Sequence, residues 1–182
     1  MVGQISDADI DKVMEDPKRV EQLLNNGQYL EQKQSFWKTL FSKPVKPVYS
    51  WTPDAGNITC DMDKAWHLLH FILSGNMEGG DGPENFIMTG GQEIGEDLGY
   101  GPTRFFKASA TEEIGKFIAG LSEQTIHHRL ENQQLKGQDI YPINDNELSE
   151  EERNWVLEEF ADLKDFFQKT IEARKGFYVY IY

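Results

Sequence analysis

The chain reads as one α+β domain: six or seven helices around a small sheet of three or four strands, with a long C-terminal helix followed by a terminal strand. Three observations predict this. Apolar residues recur at helical spacing behind capping residues along most of the chain. Short runs of β-favouring residues, bounded by turn residues, interrupt them. No repeat, low-complexity tract or linker divides residues 1–182, a length usual for one domain.

Ser6-Asp7-Ala8-Asp9 is an N-cap with acids in the first turn, opening a helix with Ile10, Val13 and Met14 on one side. Asp16-Pro17 starts a second, carrying Val20, Leu23 and Leu24 and ending at Gly27. A third is expected from Tyr29 to Phe41. Lys43 to Cys60, with three prolines, is a loop or extended segment. Asp61 or Asp63 caps a strong helix running to Leu73 and stopped at Ser74-Gly75. Phe86-Ile87-Met88 reads as a buried strand between glycine-rich loops, and Arg104-Phe105-Phe106 as another. Ser109-Ala110-Thr111-Glu112 matches a capping box before Ile114, Phe117, Ile118 and Leu121, and a further helix covers about 123–136. Ser149-Glu150-Glu151-Glu152 is a second capping box. Its helix carries Val156, Phe160, Leu163, Phe167 and Ile171 as one stripe, with Arg174 and Lys175 in its last turn and Gly176 at C′. Phe177 to Tyr182 favour β structure throughout.

Apolar residues at 38% and aromatics at 12% supply a core and exclude disorder of the whole chain. No stretch approaches the roughly 18 apolar residues of a spanning helix, and the N-terminus shows no secretory signal pattern. With Cys60 as its single cysteine, the chain is expected in a reducing cytoplasm. The net charge is −13 and unevenly placed: residues 1–60 carry eight acids and seven bases, the rest 23 acids and 11 bases. Such a field disfavours nucleic acid and anionic lipid and suits a cationic partner, while also serving solubility.

Two segments are candidates for a site. On the helix from Asp63 to Leu73, the residues Ala65, Trp66, Leu68, Leu69, Ile72 and Leu73 share an apolar face, and Asp63, His67 and His70 fall together opposite it. An acid and two imidazoles so placed suit a divalent metal or an oriented base, or equally a solvated face in which Asp63 pairs with His67. The loop from Gly90 to Arg104 has five glycines. It lacks the Gly-Lys-Ser/Thr of a phosphate cradle and carries three acids that would repel phosphate. Arg104 could anchor a carboxylate, or bridge internally to Glu93, Glu96 or Asp97. Cys60 has no activating neighbour, and no nucleophile elbow is present. No cofactor is expected.

Trp66-x-x-Leu69-His70-Phe71-x-Leu73-x-Gly75, Gly90-Gly91, Gly99-Tyr100-Gly101-Pro102-x-Arg104 and Ile140-Tyr141-Pro142, in that order, resemble the successive motifs of the YfbM-like bacterial family, catalogued as domain of unknown function 1877. The resemblance covers nearly the whole chain. It implies an α+β fold and a bacterial origin, and no activity. One departure is N-terminal: members begin with a short apolar strand, whereas Met1 to Ile5 is short and polar. The resemblance directs attention to His70, Tyr100, Arg104 and Tyr141, which a ligand site or a buried hydrogen-bond network would both explain.

Two functions are therefore expected to compete. One is an acidic binding protein, such as an immunity-type inhibitor of a basic partner. The other is a small-ligand binder or enzyme with its pocket between helix 63–73 and loop 90–104, using His70, Glu93, Tyr100, Arg104 and Tyr141.

Overall fold

The structure, a computed structural model, describes residues 1–24, 51, 53–97, 99–143 and 147–182. The helix expected at 29–41 and half of the 43–60 segment lie outside those residues. A five-stranded antiparallel sheet forms the centre, in the order β2-β1-β5-β4-β3, with β1 Val2–Ile5, β2 Thr59–Cys60, β3 Gln92–Ile94, β4 Thr103–Phe106 and β5 Gly176–Val179. Five strands replace the expected three or four. The two extra edges are short: β2 has two residues, and β3 sits inside a glycine-rich segment without a hydrophobic run.

Short polar Met1 to Ile5 does form a strand, and it lies inside the sheet. All four residues of β1 are buried, including Gln4, because β2 and β5 flank it and both faces are covered. Conversely, Phe86-Ile87-Met88 is no strand. A 3₁₀ turn at Pro83–Asn85 continues into turns over these residues, with Met88 and Thr89 donating to the Asn85 carbonyl. A buried apolar triplet fits either structure, and Pro83 behind Gly82 starts the turn.

The helices are α1 Asp7–Glu15, α2 Arg19–Leu24, α3 Trp66–Ser74, α4 Ala108–Gly120, α5 Glu123–Arg129, α6 Asn132–Leu135 and α7 Glu150–Glu172. Ser6 caps α1 and Ser149 forms the full capping box of α7 with Glu152, as the sequence predicts. Three ends differ. Helix α4 starts one residue before Ser109, and its first amide, Ala108, donates at 2.9 Å to Asp7, a cap supplied by a distant element. The segment 123–136 breaks at Leu130 into α5 and α6. Helix α7 ends at Glu172, and Arg174 adopts the left-handed conformation (φ 53°) expected at Gly176. Gly176 opens β5 instead, where a Cβ would run into the Phe106 carbonyl of the neighbouring strand.

Alternate strand residues face opposite sides of the sheet. Val2, Phe106, Phe177 and Val179 belong to the larger core, shared with α3, α4 and α7. Phe106 and Phe177 stack at 4.5 Å, and Phe86 and Phe167 meet Phe177 edge-on. Ile5, Ile94, Phe105 and Tyr178 face the smaller core with Ile10, Val13, Val20, Leu23 and Trp51. The layers are thus α1/α2, sheet, and α3/α4/α7. No helix among the described residues is long and apolar enough to cross a membrane.

Candidate functional site

Helix α3 follows a 3₁₀ turn at Asp63–Ala65 and ends in left-handed Gly75 (φ 77°). It is buried on almost every side, so His70 does not lie on a solvated face: it is 0% exposed. Its Nε2 bonds the Glu78 carbonyl at 3.0 Å, while Nε2 of His67 reaches the Met77 carbonyl at 3.3 Å. The Nδ1 of His67 accepts the Tyr141 amide at 3.2 Å, which leaves its ring proton on Nε2. The two imidazoles therefore pin the loop after Gly75 and the Tyr141 turn. They do not converge with Asp63, and among the described residues no group of three or more His, Cys, Asp or Glu is placed to hold a metal ion. Burial is the largest cause holding the His70 imidazole below its ordinary value.

Arg104 points into the larger core and is 6% exposed. Its guanidinium donates to the carbonyls of Phe86 (2.9 Å) and Ile87, not to Glu96 or Asp97. Burial pulls it down to about 10, and Glu93, its register partner across β3 and β4, draws it back up. Arg104 thus favours the turn at 86–88: the Phe86 and Ile87 carbonyls point inward to a fork of donors. Asp97 has another task. Its carboxylate accepts the amides of Gly99 (2.8 Å) and Gly101 (2.9 Å), which hold it below the usual range and fix the loop bearing Tyr100.

Tyr100 and Tyr141 do come together. Trp66 forms the floor between them, with ring centroids 5.2 Å from Tyr100 and 6.3 Å from Tyr141. Tyr182 and Ile181, following β5, close the opposite wall, and Asp63 and Lys64 complete a cleft of about 210 Å³. Tyr100, Tyr141 and Tyr182 remain 58%, 43% and 66% exposed. The hydroxyl of Tyr182 donates to Asp61 at 3.2 Å, which brings a further carboxylate to the rim. His70, Glu93 and Arg104 do not line this cleft. Trp66, Asp61 and Tyr182 are the residues sequence reading missed. Trp66 enters there as part of an apolar face and of a motif, not as a site residue, and Tyr182 joins through strand pairing that spans the whole chain.

Beside the rim lies the solvent face of α7, a helix with eight acids and three bases. Burial raises the Glu159 carboxyl above its ordinary value, a hydrogen bond from the Trp155 side chain opposes this, and Asp162, Asp63 and Asp61 raise it further. Burial chiefly pushes the Cys60 thiol up to about 12, with Asp162, Glu159 and Asp61 adding to it, so it is unreactive.

Fold and site together define an α+β domain with an aromatic cleft beside an acidic helix. The chain belongs to the family described as domain of unknown function DUF1877, whose model matches residues 2–180. Its fold is similar to the crystal structure of YfbM, a protein of unknown function from Escherichia coli, with a TM-score of 0.57 at 16% identity over 98% of each chain. No curated protein matches it.

Proposed function

We propose that this chain is an acidic binding protein of the bacterial cytoplasm that meets a basic partner protein through the face around Asp61, Asp63, Glu159 and Asp162. The observation that carries this reading is the convergence of carboxylates from two parts of the chain, Asp61 and Asp63 ahead of α3 and Glu159 and Asp162 on α7. Burial chiefly raises Glu159, and the other three add to it against a hydrogen bond from Trp155. Such a cluster holds its charges at a cost that a cationic partner relieves, and complementary charge speeds encounter. An immunity-type inhibitor, covering the basic site of a toxin, is one form this function would take.

The test is titration with an arginine-rich peptide at several salt concentrations. Binding that weakens with salt, and weakens again when Asp61, Asp63, Glu159 and Asp162 become amides, supports the reading. Equal affinity for the amide variant sinks it.

The alternative, a small-ligand site between the α3 segment and the loop carrying Tyr100, draws support from the cleft's lining. An enzyme using His70 and Arg104 draws none, since both side chains are engaged with backbone carbonyls inside the core.

A further inference from the structure

We infer that the cleft over Trp66 is a guanidinium site that receives one arginine side chain. This rests on the proposed basic partner and names the group by which that partner is recognised. Three tyrosines in a cleft beside carboxylates are the requirement for an organic cation: ring faces attract it, and carboxylates accept its N–H groups. Among the described residues, Tyr100, Tyr141 and Tyr182 are, with Met14, the exposed large hydrophobic side chains. They are also held in place, by Asp97 through the Gly99 and Gly101 amides, by His67 through the Tyr141 amide, and by Asp61 through the Tyr182 hydroxyl.

Size and shape favour arginine. The cleft encloses about 210 Å³, below the roughly 300–1,000 Å³ of sites for drug-sized ligands. A planar, weakly hydrated guanidinium stacks on aromatic faces and forks to carboxylates, whereas a lysine ammonium keeps its water more strongly. Two cations also border the cleft. The amino group of Met1 donates to the Tyr180 carbonyl at 2.8 Å, and burial lowers it. Lys64 is the second. Against these two cations stand Asp61 and Asp63 and, beyond the rim, Glu159 and Asp162, an excess of two carboxylates.

The experiment uses the full chain and three capped amino-acid amides, of arginine, lysine and the neutral isostere citrulline, followed by the four tryptophan indole NMR signals and calorimetry. Capped arginine is expected to shift the Trp66 indole, capped lysine less, and citrulline not at all. Tyr100→Ala and Asp63→Asn each weaken arginine about three- to fivefold, and Lys64→Gln tightens it. Both side chains are exposed, and unchanged remaining indole signals verify the fold. Equal shifts by citrulline, or arginine binding indifferent to Tyr100→Ala, overturn the site. An arginine-rich peptide separates this inference from the one beneath it. If it binds in a salt-dependent way but ignores Tyr100→Ala, the acidic face stands and the guanidinium site falls. If capped arginine binds as tightly as the peptide, the site stands and the protein-partner reading falls.

Discussion

The amide of Tyr141 donates to Nδ1 of His67 at 3.2 Å, across 74 residues of sequence. With Nε2 of the same ring on the Met77 carbonyl, His67 ties two loops to the helix that supplies the floor of the aromatic cleft.

His67→Phe removes both bonds while keeping a ring. It is expected to lower stability by about 1–3 kcal/mol and to displace Tyr141 from Trp66. Loss of the ring-current shifts between those residues checks this. An unchanged Tyr141 spectrum would show that the turn holds itself.

Acid should weaken the fold through His70. Burial keeps this imidazole below its ordinary value of 6.5, with His67 and Arg104 adding to the effect and the Glu78 carbonyl opposing it. As pH falls through about 6.5 the unfolded chain takes up a proton that the folded chain refuses, so stability decreases on acidification and is fully present above that value. For one proton the slope approaches about 1.4 kcal/mol per pH unit. Denaturant melts between pH 7.5 and 5.5 should show a smaller acid loss for His70→Gln than for the parent. Parallel curves would contradict it.

Arg104→Met keeps the length of the side chain and deletes the fork. The Phe86 and Ile87 carbonyls then lack a donor inside the core, at about 1–3 kcal/mol for each buried group. Thermal melting should register the loss, with faster amide exchange confined at first to residues 83–89. Arg104→Lys should recover only part, because one ammonium cannot reproduce the planar pair of donors.

Tyr178 lies across Gly3, its register partner, so that a Cβ at position 3 would overlap the ring. Gly3→Ala is expected to destabilise by about 1–3 kcal/mol, as overpacking does. The double variant Gly3→Ala/Tyr178→Leu should cost less than the sum of the two singles. Strict additivity in that cycle would refute the contact.

The amino-acid sequence by itself determined the α+β class, the caps at Ser6 and Ser149, the apolar stripe of α7 and the strand after it, because caps and periodicity act within a few residues. Its motifs also carried the family, and two of the cleft's tyrosines among the candidate residues. Tertiary structure decided the rest. Polar Met1 to Ile5 became an inner strand since β2 and β5, brought from far along the chain, pair with it. Phe86 to Met88 became turns since Arg104 claims the Phe86 and Ile87 carbonyls. Helix α4 took its cap from Asp7, and Gly176 served close strand approach in place of helix termination. The largest difference lies at the candidate site. Helical spacing predicts Asp63, His67 and His70 on one side of a helix, but Asp63 falls in the 3₁₀ turn before α3, and the loop after Gly75 and the distant Tyr141 turn cover the histidines. Burial therefore turned the histidines into supports, and the exposed chemistry passed to the tyrosines around Trp66 and the carboxylates beside them.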